Sequence, residues 1–146
     1  MKQMVDFYAG YYTKYRKDLF EKLVKLFNLD ANKRISQFSK GMQKQAFIIF
    51  ALCSSVDFII LDETFDGLDP AIRMTMQKLF KAAVSKKELG IIISGHNLKD
   101  IRQFCNNIGL LNNNKLIYNG GAESLSEDEI MGVVNAGVVQ DFSGLF

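Results

Sequence analysis

Cysteine, proline and histidine are scarce in these 146 residues: two Cys, one Pro and one His. Cys53 and Cys105 lie far apart, and neither has a Cys or His at metal-ligand spacing, so neither a zinc site nor a disulfide framework is expected. Both read as reduced thiols of a cytosolic chain, Cys53 buried in a helix. No stretch reaches the length of a transmembrane helix; the apolar run 46–53 reads as a buried-helix segment. Met1-Lys-Gln-Met carries a basic residue with no apolar segment behind it, so no signal peptide is expected. An excess of one charge is also lacking. Eighteen basic against 16 acidic residues leave +2, with no dense Lys/Arg block, and no nucleic-acid surface is expected. At 48% hydrophobic and 23% charged residues the composition is globular, with length for one domain and its core.

The most informative stretch is Phe58-Ile-Ile-Leu-Asp-Glu-Thr-Phe-Asp-Gly-Leu-Asp-Pro70. Its four apolar residues, 58–61, predict a strand buried on both faces, as in a parallel sheet. Ligands bind at the carboxyl ends of such strands, and there the chain places Asp62 and Glu63. One carboxylate suits a hard cation such as Mg²⁺, directly or through water, and its neighbour suits the polarising of an attacking water. A buried strand ending in a polar turn explains the same residues without chemistry. Gly67, then Asp69 as N-cap and the single proline, Pro70, as first helical residue, predict a tight turn into a helix.

Elsewhere the aromatics Phe7, Tyr8, Tyr11, Tyr12 and Tyr15 predict one amphipathic helix over residues 1–15, packed on its neighbour. Asp18 with Glu21 predicts an N-cap for a second helix that ends near Asn28. Ser39 predicts the cap of a third helix with Gly41 just inside it, continuing to Ser54 and apolar nearly all round. Capping alone accounts for Ser39, but the same helix end offers free amides and a hydroxyl to a phosphate. Residues 72–83 keep helical spacing up to Lys86-Lys87, and residues 91–93 form a second apolar strand. The strand–helix–strand unit predicts parallel pairing, which brings His96 to the edge that holds Asp62 and Glu63. There an imidazole N–H suits contact with a terminal phosphate. A helix over 97–105, a hairpin around Asn112-Asn113-Asn114 and a possible helix over 127–134 complete the reading.

Three of these stretches carry a resemblance. Leu61-Asp-Glu-Thr-Phe-Asp-Gly-Leu-Asp-Pro70 resembles the Walker B segment and D-loop of ABC-type ATPases. Phe38-Ser-Lys-Gly-Met-Gln-Lys-Gln45 resembles their signature motif in its Ser-Lys-Gly-Met variant, and Ile91-Ile-Ile-Ser-Gly-His96 resembles their H-loop strand. The order and separations match, and the resemblance spans about residues 17–125. It implies an α/β fold, part of a P-loop NTPase domain: a helical subdomain over 1–57, core strands and a β-hairpin over 58–125, and a tail over 126–146. It further implies an ATP-binding subunit of an ABC transporter at the inner face of a membrane, paired head-to-tail with a second such subunit and joined to a transmembrane permease. By resemblance Asp62 organises Mg²⁺, Glu63 is the general base and His96 contacts the γ-phosphate of ATP. Ser39 and Gly41 reach the partner's nucleotide, and Asp69 lies at the subunit interface.

The pattern also breaks. No Gly-x-x-x-x-Gly-Lys-Ser/Thr occurs; Gly90 to Gly95 has the spacing but continues into His96-Asn97 across a strand. The half of the domain that cradles phosphates is therefore missing from these residues, and this chain alone is expected to be inactive. Thr64 stands where the family usually has Pro, Gly95 where Ser or Thr is frequent, Gln45 where Arg is common, and Asn106-Asn107 where an acidic residue is frequent. Two rivals share the motifs: the C-terminal lobe of a chromosome-maintenance or DNA-repair ATPase, and a non-catalytic remnant that only pairs with a complete subunit. The first calls for long heptads ahead of the lobe, and residues 1–37 hold two short helical patterns instead.

Overall fold

The computed structural model describes residues 1–86 and 89–124. The expected contribution of Lys87 to a helix end, the expected helix over 127–134 and the expected tail over 126–146 lie outside the described residues. The chain divides into two compact units, one spanning Met1–His96 and the other beginning at Asn97.

In the first unit, α1 (Lys2–Ala9), α2 (Lys17–Leu26), a short 3-10 turn (Ile35–Gln37) and α3 (Lys40–Cys53) precede β1 (Phe58–Asp62), α4 (Pro70–Lys86) and β2 (Gly90–Ser94). The first helix is shorter than expected: it stops at Ala9, and Tyr11, Tyr12 and Tyr15 follow in turns. The aromatics still pack as a group, because Tyr8, Tyr12 and Tyr15 all set their rings against Phe50 of α3. Asp18 does not cap α2. The cap position is Arg16, without a side-chain bond, and Asp18 sits in the first turn, paired with the Arg16 guanidinium at 3.3 Å. That acid at a positive helix end is favourable without being the cap. The helix also ends earlier, at Leu26, where Asn28 takes φ 50° and turns the chain away.

α3 begins as expected. Ser39 Oγ accepts the Met42 amide at 3.2 Å, satisfying one of the donors that a helix start leaves open. Ala46, Ile48, Ile49, Leu52 and Cys53 are buried along it, while Phe47 is exposed, so its apolar surround is incomplete. β1 and β2 pair in parallel and in register, Phe58 with Gly90, Ile60 with Ile92 and Asp62 with Ser94. Parallel pairing needs a crossover, and α4 supplies it. Met76 and Phe80 of α4 are buried, Phe80 edge-on to Phe65 at 5.8 Å.

The strand differs from expectation in one respect. β1 is buried on one face only: Ile59 and Leu61 are covered, whereas Phe58 is 68% and Ile60 74% exposed. The reason is topological, since the sheet has two strands among the described residues and Ile92 beside Ile60 is 55% exposed as well. An apolar run reports what a strand can tolerate on each face, not what covers it.

The second unit holds α5 (Leu98–Phe104) and the antiparallel pair β3 (Asn107–Asn112) and β4 (Lys115–Gly121). The hairpin turns on Asn113 and Asn114, both at positive φ, a conformation Asn tolerates and hairpin turns of this length demand. The Arg102 guanidinium donates to the Ala122 carbonyl at 3.2 Å, tying α5 to the end of the hairpin.

Candidate functional site

The carboxyl ends of β1 and β2 lie side by side because Asp62 and Ser94 are register partners. The Ser94 hydroxyl donates to Asp62 Oδ1, in a short contact, and accepts from the Glu63 amide at 3.2 Å. The Glu63 amide also donates to the Ser94 carbonyl at 3.3 Å. Thr64 turns its hydroxyl back onto the Asp62 carbonyl at 3.2 Å. Asp62 therefore keeps one carboxylate oxygen oriented by the neighbouring strand and presents an exposed side chain at the sheet edge.

Beyond Asp62 the chain must leave the strand and enter α4 within a few residues. Glu63 adopts φ 44°, in the left-handed region that is sparsely populated by residues other than Gly, Asn and Asp, and Gly67 supplies φ 72° a few residues later. Residues held there persist where the surroundings over-determine them. Here they do. The Lys44 ammonium, from α3, donates to the Glu63 carbonyl at 3.1 Å and to the Asp66 carbonyl at 2.8 Å. Arg73 Nε, from α4, donates to the Leu68 carbonyl at 3.0 Å. Asp69 Oδ1 accepts the Ala71 amide at 2.9 Å and the Asp69 carbonyl starts the helix by accepting the Arg73 amide, so the expected cap and Pro70 start are in place.

His96 stands where expected, at the same edge. Its Nδ1 is 3.9 Å from Glu63 Oε1 and 3.7 Å from Asp66 Oδ2. Among the described residues, these three side chains bring potential ligand atoms within 4.8 Å of one another. Asp62 stands outside that group, engaged by Ser94, so the two adjacent carboxylates have separate surroundings. Ser39 and Gly41 are not in the cluster either: Ser39 caps its own helix. Gly41 lies close to its turn all the same. A Cβ on Gly41 would come 3.7 Å from Leu68 Cδ2 and 3.9 Å from the Gly67 carbonyl, so the start of α3 packs against the Leu68 side chain and the Gly67 carbonyl.

The chemistry available at this edge is that of three carboxylates, Asp62 and Glu63 exposed and Asp66 half-buried, with an imidazole and a capped helix end. The cluster is open to water, so a cation or phosphate can approach it, and the charges at its surface are screened. Sequence reasoning missed Asp66, Ser94 and Lys44. Ser94 was recoverable from strand register, which pairs it with Asp62. Asp66 was recoverable as an acid within reach of the turn. Lys44 bonds main-chain carbonyls, and no pattern of side chains advertises that.

Comparison with known proteins adds a separate line. No family model matches the chain. It is 30% identical over 129 residues to the ABC transporter ATP-binding protein YtrB of Bacillus subtilis (strain 168), covering 88% of this chain and 44% of YtrB. It is 31% identical over 101 residues to the ABC transporter ATP-binding protein NatA of the same organism, covering 67% of this chain and 39% of NatA. The fold matches that of cbiO1 from Clostridium perfringens, part of the ABC transporter complex cbiONQ, with a TM-score of 0.62 and 24% identity over 84% of this chain and 50% of that one. The chain thus spans less than half the length of these two relatives, and its α/β fold is that of about half an ABC ATPase domain.

Proposed function

We propose, from the premise that this chain is homologous over most of its length to ABC transporter ATP-binding proteins, that it supplies the hydrolytic edge and the signature helix of an ATP-hydrolysing transporter subunit. The observation that carries this reading is the parallel register of β1 and β2, which gathers Asp62, Glu63 and His96 at one sheet edge beside the start of α3. In this reading Asp62, oriented by Ser94, holds Mg²⁺ through water. The cation, when bound with ATP, neutralises the charge on the phosphates. Glu63 takes the proton of the attacking water, and His96 donates to the γ-phosphate.

Ser39 and Gly41, at the positive end of α3, face the nucleotide of a second, head-to-tail subunit, following the Ser-Lys-Gly-Met signature. Asp69, on the same turn, lies at that subunit interface. Since cbiO1 is part of a transporter complex, the same assembly is inferred here: a transmembrane permease as partner, with the ATPase at the inner face of the membrane. No described helix is long and apolar enough to cross a membrane itself. The relatives are transporter proteins, which weighs against the chromosome-maintenance alternative.

The 146 residues contain no Gly-x-x-x-x-Gly-Lys-Ser/Thr, the element that makes most phosphate contacts in such sites. This chain by itself is therefore expected neither to bind Mg·ATP at micromolar concentration nor to turn it over. Calorimetry on the chain alone checks the first point; micromolar binding would contradict it. Joined to the phosphate-binding half of a relative such as YtrB, the chain is expected to hydrolyse ATP. An inactive but correctly folded fusion that binds Mg·ATP would favour the non-catalytic alternative.

A further inference from the structure

We propose that Lys44 is a positioning residue that couples the start of α3 to the turn carrying Glu63. Both ends of the Glu63 peptide are held: Ser94 accepts its amide, and Lys44 donates to its carbonyl at 3.1 Å. Those bonds bracket a residue at φ 44°, and the second Lys44 bond, 2.8 Å to the Asp66 carbonyl, spans the turn to the next acid of the cluster. Lys44 follows Gly41 by three positions, so the two share a helix face. Gly41 packs against Gly67 and Leu68 while Lys44 grips Glu63 and Asp66. One face of α3 thus touches the turn at both ends. An ammonium with three donors can hold two carbonyls at once; a thioether at this position has no donor to offer either of them.

The consequence rests on the assignment of Ser39 and Gly41 to a partner's nucleotide and of Glu63 to the chain's own. If the helix start is displaced by the phosphate it faces, Lys44 carries the displacement to the Glu63 carbonyl. The two halves of the two sites that one subunit contributes then move as a body. Lys44 touches no substrate in this account; it acts through the Glu63 backbone.

The test needs no nucleotide and uses this chain as it is. Amide hydrogen exchange is followed at submicromolar concentration for segment 63–68, with segments 59–61 and 72–80 as the control for the fold. Lys44→Met is expected to speed exchange in 63–68 at least fivefold and to leave both control segments unchanged. Ser39→Ala, which loosens the helix start, is expected to speed 63–68 about threefold with Lys44 in place and not at all in the Lys44→Met background. Lys44→Arg is expected to restore both the slow exchange and the response to Ser39→Ala. If Lys44→Met loses protection in the control segments, Lys44→Leu, which also lacks a donor, replaces it with the same expectations. Unchanged exchange in 63–68 on removal of the ammonium, an equal Ser39→Ala effect in both backgrounds, or no restoration by Arg would each overturn the proposal. Because ATP takes no part, a completed protein that fails to hydrolyse ATP would overturn the functional reading and not this coupling.

Discussion

Glu63 is the residue on which chemistry and backbone meet. Its side chain faces His96, while its peptide is fixed in a left-handed conformation by Ser94 and Lys44. Replacing the carboxylate by an amide keeps shape and hydrogen bonding but removes the proposed base. In a protein completed by a phosphate-binding half, Glu63→Gln is expected to lower turnover by about 100- to 10,000-fold with ATP binding preserved. Single-turnover kinetics beside equilibrium nucleotide binding separates the two, and loss of binding in proportion to turnover would assign Glu63 to the cation. Asp62→Asn is expected to do the reverse, weakening Mg²⁺-dependent binding first. At a different residue the fold itself carries a pH dependence. Burial beside the Cys53 thiol pushes the Tyr15 phenol well above its ordinary range. The neutral phenol is the form the fold prefers, so its contribution is complete below the unfolded value of about 10 and is lost as pH rises through the folded one. Urea midpoints at pH 9 and pH 11 are expected to fall less for Tyr15→Phe than for the unaltered chain.

At the scale of elements, the parts that sequence could show are those whose signal is local. Ser39 capping α3, Asp69 and Pro70 starting α4, and the Asn-rich hairpin turn each follow from residue type at a fixed offset. The shared edge of Asp62, Glu63 and His96 was legible because a strand–helix–strand unit leaves one pairing for its strands. The N-terminal aromatics misled because helical spacing among rings does not say that the backbone remains helical; Tyr8 meets Phe50 from α1, whereas Tyr12 and Tyr15 meet it from beyond the end of that helix. Asp18 misled because an acid one residue inside a helix and an acid at its cap look alike in sequence. Lys44 was invisible for a third reason, since it acts across elements on main-chain carbonyls, whereas Ser94 emerges only once the strand register is drawn. Ser39→Ala removes the bond to the Met42 amide and is expected to cost about 1 kcal/mol, read as a lower urea midpoint at unchanged slope. Gly67→Ala places a side chain at φ 72° with open space around it, so backbone strain alone is expected to cost about 1 kcal/mol.

Across the whole molecule the exposed sheet face is the dominant liability. Phe58, Ile60 and Ile92 form an apolar surface on a two-stranded sheet, which favours association of the isolated chain. Light scattering on a sizing column is expected to find species larger than a monomer, and Ile60→Thr with Ile92→Thr is expected to reduce them; a monodisperse monomer that binds no apolar dye would contradict this. The central claim concerns division of labour between subunits: Glu63 serves the nucleotide of its own chain and Ser39 that of its partner. ATP hydrolysis by mixed dimers of the completed protein tests it most directly. With Ser39→Arg in one subunit and Glu63→Gln in the other, both lesions fall in the same shared site and leave the other site whole. With both changes in one subunit opposite an unaltered partner, each site carries one lesion. The account predicts turnover up to about half of the unaltered dimer's for the first arrangement and near-complete loss for the second. Equal turnover in the two arrangements, or the reverse order, would contradict it.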